Sequence, residues 1–316
     1  MSFSLDPDFS SALGKFGDLL DTLAEAPIGD VNTRRKNGAV VTQALFQGRS
    51  FPSDVSFRDF TLKSSDQEEI QLRWYQKENS KPGSAILYIH GGGLICHDIS
   101  RYDLVIAKYV AASGVPFLAV NYRKAPEFPY PIPIDDCYRA FVWLVQHSQE
   151  LSIDPTRIGI MGDSAGGGLA AALTIVARDK KGPSLARQIL LYPMLDDRTV
   201  TPDPELLPFI IWTYEDNLTG WTAYLGNQVG SPAVSPHAAP ARLQDAKGLP
   251  PAFIDVGELD IFRDEDMQYA QLLTDAGVST ELHVRPGVIH SWELFAPDIP
   301  VSQRALADRV RVIQEI

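Results

Sequence analysis

Ser164 stands in GDSAGG (162–167), with a glycine two positions before it and another two after it. A serine hydroxyl is a weak nucleophile until a neighbouring base takes its proton. Flanking glycines suit a sharp strand-to-helix turn that lifts the oxygen clear of the backbone. The same spacing also fits a plain glycine-rich turn, so a base, an orienting acid and an anion-binding group must be sought elsewhere in the chain. A phosphate loop fits poorly, because no Lys-Ser/Thr pair closes the glycine run.

His90-Gly91-Gly92-Gly93 directly follows the apolar run SAILYI. Three glycines let a loop turn its N–H groups inward toward a developing oxyanion, although a mobile surface loop would look the same. The base must be one of six histidines. His90 is expected to hold the shape of its own loop, and His97, just past the glycines, is placed to line a pocket. His147 falls in a helix-period stretch, His237 is bounded by prolines and His283 alternates within a strand. His290, in RPGVIHSWELF, follows the last strand and is the natural base if the order runs serine, acid, histidine. The acid then lies in PAFIDVGELDIFRDED. Asp255 is inside the strand pattern, and Asp264 and Asp266 resemble first-turn helix acids whose ordinary role is capping. Asp260 is best placed to reach a histidine on the next strand's loop, with Glu258 as its main rival.

These residues need a frame. Apolar, β-rich runs recur at 84–90, 115–122, 157–161, 188–193 and 251–257, with helix-period segments between them. Near-continuous apolar strands alternating with helices indicate a mostly parallel sheet covered on both faces. DVSFRDFTLKS and EIQLRWYQK alternate more and are expected to form an antiparallel lead-in, while TELHVRP (280–286) reads as a late strand before a closing helix. Residues 1 to about 50 read as helical, and 196–248 exceed the usual connection of roughly 2–6 residues between a helix and a strand. That insert holds Phe209, Trp212, Tyr214, Trp221 and Tyr224, which would serve either a lid or an accessory core. One domain, 1–316, with a helical cap from 1–50 and 196–248 is the expected organisation.

Bulk properties narrow the partners. The chain has 316 residues, 45% hydrophobic and 22% charged, and a formal net charge of −12. That charge argues against nucleic acid or an anionic membrane, both of which call for basic patches. Two cysteines without metal-ligand spacing, and no signal-like or membrane-length apolar stretch, lead to the expectation of a soluble cytoplasmic protein with no metal.

Together HGGG (90–93), YRKAPE (122–127), GDSAGG (162–167), DIFRDE (260–265) and the histidine of GVIHSW (287–292) resemble the hormone-sensitive-lipase-like family of α/β-hydrolases. They run in family order over about two-thirds of the chain. The resemblance implies an α/β-hydrolase fold, with a mostly parallel eight-stranded sheet flanked by helices, and hydrolysis of short- to medium-chain carboxylic esters without a cofactor. It implies Ser164 as nucleophile, Asp260 as acid and His290 as base, with the N–H groups of Gly91, Gly92 and Ala165 as the oxyanion hole. It also implies a buried cluster of Tyr122, Arg123 and Glu127 behind the site, and homodimers through the late edge strand. Leu94 replaces an aromatic after HGGG, Cys96-His97 replace smaller residues, and Ser291-Trp292 and Ile261-Phe262 also depart from the pattern. These differences bear on the substrate, for which Leu94, His97, Phe209, Trp212, Trp221 and Trp292 are the candidate contacts. A lactonase, a formamidase or another secondary-metabolite hydrolase would use the same triad. A non-catalytic receptor on this fold is disfavoured because all three triad positions are kept.

Overall fold

The computed structural model describes residues 3–80 and 83–316. Eight strands form one sheet in the order β1-β2-β4-β3-β5-β6-β7-β8. β1 (Val55–Lys63) and β2 (Glu69–Lys77) are the antiparallel lead-in, and β2 pairs antiparallel with β4 (Phe117–Val120). β3 (Ala85–Ile89), β5 (Ile158–Asp163), β6 (Arg187–Leu191), β7 (Ala252–Gly257) and β8 (Thr280–Arg285) continue the sheet in parallel, with β8 at the edge.

The central strands are apolar throughout because both faces are covered. All five residues of β3 are buried, and they alternate between layers. Leu87 and Ile89 enter a core shared with α5 (Ile132–Gln146), α6 (Ala165–Asp179) and α8 (Arg263–Asp275). Ile86 and Tyr88 enter the opposite core, shared with α4 (Asp103–Ser113) and α10 (Pro300–Gln314). Burying such a side chain is worth about 2 kcal/mol, so a one-residue slip of β3 would exchange its two faces and forfeit both fits.

The two segments that break the alternation meet over the carboxyl ends of these strands. The first carries α1 (Pro7–Leu13), α2 (Gly17–Asp21) and α3 (Val31–Phe46), and the second carries α7 (Tyr214–Leu225). Asp30 starts α3 by accepting the Thr33 N–H at 3.0 Å, and Thr213 and Asp216 form a capping box at the start of α7. Buried Arg34 then donates to Asp216 at 2.7 Å, and Gly29 N–H donates to Thr219 at 3.0 Å, tying the segments together.

The cluster at 122–127 divides. Tyr122 is buried and donates to His90 O at 3.0 Å, and Arg123 pairs with buried Asp136 at 2.7 Å. Glu127 is not behind the site: it is half exposed and pairs with Arg35 of α3 at 2.6 Å, fastening the N-terminal segment instead. Among the described residues no helix is long and apolar enough to cross a membrane.

Candidate active site

Ser164 sits between β5 and α6 with φ +55° and ψ −125°, a conformation that L-residues adopt only where the surroundings enforce it. Its own N–H donates to Leu191 O at 2.8 Å, and its carbonyl accepts from Gly168 and Met194, each at 3.0 Å. The turn closes because its glycines have no side chain: a Cβ on Gly166 would lie 2.1 Å from Ile89 O, and one on Gly162 2.2 Å from Gly166 O. The hydroxyl therefore projects at the sheet's carboxyl edge, over the N-terminus of α6.

His290 arrives on the loop after β8, and its Nε2 lies 3.0 Å from Ser164 Oγ. Its Nδ1 lies 2.6 Å from Asp260 Oδ2, on the loop after β7. The Asp260 carboxylate only accepts, so Nδ1 carries the proton and Nε2 faces the serine with its lone pair. Asp260 is itself fixed, because its Oδ1 accepts the Phe262 N–H at 3.0 Å. Tyr192 and Phe262 pack edge-on against the imidazole at 4.7 and 5.2 Å. Glu258, the rival acid, turns away and accepts the Gly287 N–H at 2.9 Å. The remaining carboxylates of this stretch are occupied or remote: Asp255 pairs with Arg285 and Arg309, Asp264 pairs with Arg263, and Asp266 is buried in the first turn of α8 rather than capping it.

Ser164 and His290 open into a cavity of about 270 Å³. The glycine loop lines it through Gly92 and Gly93, with φ +121° and +58°; Gly91 does not reach it. A side chain on Gly91 would point at Asp163 and the Tyr102 hydroxyl instead, so the cavity meets Gly92 and Gly93 rather than the expected Gly91 and Gly92. The N–H groups of Gly92, Gly93 and Ala165 have no acceptor among the described residues. Buried Asp163 accepts from Tyr88 at 2.7 Å and Tyr102 at 2.9 Å, and burial raises its carboxyl to about 6. His90 keeps the role expected of it: its Nδ1 is 2.8 Å from Gly91 O, its ring stacks on Tyr122, and burial pushes its pKa well down.

Of the pocket candidates, His97 and Trp212 line this cavity. Burial lowers His97 to about 4, so the imidazole is neutral near pH 7. The other four do not line it. Leu94 and Trp221 are core residues on the α5–α6 side, and Phe209 packs against the opposite core. Trp292 is fully buried beneath the histidine loop, with the Arg309 guanidinium 5.2 Å from its ring. An insert of this length needs a core of its own, and large aromatics supply it before they reach a ligand. Sequence reasoning missed the wall formed by α3, including Arg34, Asn37, Gly38 and Val41. One signal was available. A glycine inside a helix costs about 1 kcal/mol relative to alanine, and a Cβ on Gly38 would stand 3.2 Å from His97 Cε1.

Among the described residues no group of three or more His, Cys, Asp or Glu side chains is arranged to hold a metal ion. The fold and the elbow-borne serine define a class, and comparison with known families agrees: residues 86–294 match the alpha/beta hydrolase fold family, to which this chain belongs. Carboxylesterase NlhH of Mycobacterium tuberculosis is 36% identical over 228 residues, 70% of each chain. Ethyl acetate hydrolase of Pseudomonas putida is 30% identical over 288 residues, 87% of each chain. Among solved structures, a bacterial heroin esterase superposes with a TM-score of 0.88 at 35% identity, covering 99% of this chain and 98% of that one. The resemblance read from the motifs therefore holds at the level of the family.

Proposed function

We propose that this protein hydrolyses carboxylic esters of short to medium acyl chain through an acyl-enzyme, with residues 1–50 and 196–248 as its cap. The observation that carries this is the unbroken contact from Asp260 to His290 at 2.6 Å and from His290 to Ser164 at 3.0 Å. Ser164 Oγ attacks the ester carbonyl while His290 Nε2 takes its proton. Asp260 holds the tautomer and steadies the imidazolium. The carbonyl oxygen, now negative, accepts from the free amides of Gly92, Gly93 and Ala165; one such donor is worth about 3–4 kcal/mol in comparable sites. His290 then protonates the departing alcohol. In the second half it takes a proton from water, the resulting hydroxide attacks the acyl carbon, and the acid leaves as Ser164 recovers its proton.

The cavity volume of about 270 Å³ supports small substrates. Its walls are apolar at Val41, Leu45 and Leu294 and polar at Arg34, His97 and Asp216, so both sides of an ester can be accommodated. The carboxylesterase and ethyl acetate hydrolase relatives support the same bond type. Pairing of two copies through edge strand β8 belongs to this proposal and is read by light scattering.

The test is a hydrolysis panel of p-nitrophenyl esters of increasing acyl length, with lactones and formamides for comparison and Ser164→Ala as control. Turnover should peak on short to medium esters and vanish in the variant. A Ser164→Ala protein that keeps a substantial fraction of the rate would remove the proposal. A peak on long-chain emulsions would remove the acyl-length assignment.

A further inference from the structure

One side chain of the N-terminal segment reaches the glycine loop. Arg35 lies on α3 beside Arg34, and its Nε donates to Ile95 O at 2.7 Å. Its Nη1 and Nη2 pair with the two carboxylate oxygens of Glu127 at 2.7 and 2.6 Å. Nη2 also donates to Ala125 O at 3.0 Å, and the Ala125 N–H donates to Leu94 O at 3.1 Å. The guanidinium therefore holds the turn after the glycines directly at Ile95 and again through Ala125.

Ile95 is fully buried, and its carbonyl accepts from no other group among the described residues. A buried carbonyl without a donor is costly, so this bond fixes the direction of the Ile95–Cys96 peptide. That peptide is trans and planar, so its N–H points the opposite way from its C=O. The N–H, on Cys96, donates to Gly92 O at 2.8 Å, where the Ile95 N–H also arrives at 3.1 Å. Gly92 O belongs in turn to the Gly92–Gly93 peptide, also trans, whose N–H points away from both donors. That last N–H has no acceptor among the described residues, and Gly93 lines the cavity of Ser164.

Two peptide groups are thus linked donor to acceptor, with a cation at one end and the free Gly93 amide at the other. Each bond in such a chain polarises the next, strengthening it by roughly 10–30%. The cation draws electron density along the chain and leaves the last N–H a better donor. The same bonds stop the Gly92–Gly93 peptide from rotating, and no proton changes place.

We propose that Arg35 is a positioning residue for the oxyanion hole, acting through the Ile95–Cys96 and Gly92–Gly93 peptides to aim and strengthen the Gly93 N–H. This rests on the ester-hydrolase reading of the site and ties the strength of one oxyanion donor to the seating of α3.

The test compares two full-length variants. Arg35→Met keeps the aliphatic stem and removes the cation with its donors, whereas Glu127→Gln removes the ion pair and leaves Arg35 Nε to hold Ile95. Arg35→Met should lower kcat for p-nitrophenyl esters roughly tenfold, a fraction of the roughly 10²–10³-fold cost of losing an oxyanion donor outright, with KM within about threefold. The affinity of a short alkyl trifluoromethyl ketone, whose adduct with Ser164 places a negative oxygen at the oxyanion hole, should fall in proportion. Glu127→Gln should keep kcat within about twofold. A second readout is independent of turnover. The chain has two cysteines and only Cys96 follows an isoleucine, so protein labelled with ¹³C-carbonyl isoleucine and ¹⁵N-cysteine gives one cross-peak joining the Ile95 carbonyl to the Cys96 N–H. Both nuclei should shift upfield in Arg35→Met, while an unmoved Cys137 amide, in α5, shows that the fold is kept. An unmoved Ile95–Cys96 cross-peak, an unchanged kcat, a loss confined to KM, or an equal loss in Glu127→Gln would each overturn the proposal. Those results strike this proposal alone when the parent hydrolyses esters through Ser164; a parent whose hydrolysis survives Ser164→Ala would remove the ester-hydrolase reading, and this role with it.

Discussion

Asp255, near the end of β7, and Asp260, just beyond it, are both buried, yet they hold different partners. Asp255 accepts from Arg285 at 2.7 Å and Arg309 at 2.8 Å. Asp260 accepts from the imidazole of His290 at 2.6 Å. A guanidinium offers only donors and does not exchange its proton in the working range, so the work of the Asp255 cluster is to fix β8 and α10. An imidazole can take a proton at one nitrogen while donating from the other, so a carboxylate beside it can shape a reaction. The partner decides whether a buried aspartate is structural or chemical.

That contrast can be broken by substitution. Asp260→Asn should lower kcat about 10⁴-fold, because the amide can favour the wrong imidazole tautomer, with little change in melting temperature. Steady-state ester kinetics beside thermal unfolding would show it. Glu258→Gln is the matched control and should leave kcat within about threefold, since surface-side changes away from the chemistry act weakly. Asp255→Ala should do the reverse. It leaves Arg309 buried beside an empty site and should cost about 3–5 kcal/mol in denaturant unfolding, with kcat per folded molecule nearly unchanged. If Asp255→Ala lost activity while keeping its stability, the division between the two aspartates would fail.

A third buried aspartate sharpens the comparison because it has no cation. Asp163 holds only tyrosine hydroxyls, and burial raises it from the usual 3.8 to about 6. The unfolded chain ionises first, so the stability linked to this group is full below about 3.8 and is lost as pH rises to about 6. A shift of about two units corresponds to about 3 kcal/mol. In Asp163→Asn this slope should vanish, narrowing the difference in unfolding free energy between pH 4 and pH 7 by about that amount relative to the parent. An unchanged slope would place the titration elsewhere.

The frame was legible in the sequence because its signals are local. Apolar runs such as SAILYI, interrupted by helix-period segments, can bury both faces only in a covered parallel sheet, and the structure has that sheet with β8 at its edge. The elbow was legible because Gly162 and Gly166 leave room that no other residue would. What could not be read depends on which way a side chain turns. Gly91 and Gly93 are the same residue type on one loop, and only backbone rotation decides which amide meets the cavity. Trp212 and Trp221 lie in one insert, yet Trp212 lines the cavity and Trp221 fills a core. The α3 wall was hard to read for a similar reason, because apart from the mid-helix Gly38 the segment RRKNGAVVTQALF is defined by contact with a partner segment remote in sequence, through Arg34 and Asp216.

The most direct measurement is active-site labelling with a fluorophosphonate, read by intact mass and peptide mapping. If Ser164 is activated by His290, the protein takes up one adduct, on Ser164, at a rate that collapses in His290→Ala and to zero in Ser164→Ala. An adduct on another residue, or full ester hydrolysis by a protein that takes none, would contradict the assignment of the chemistry to Ser164.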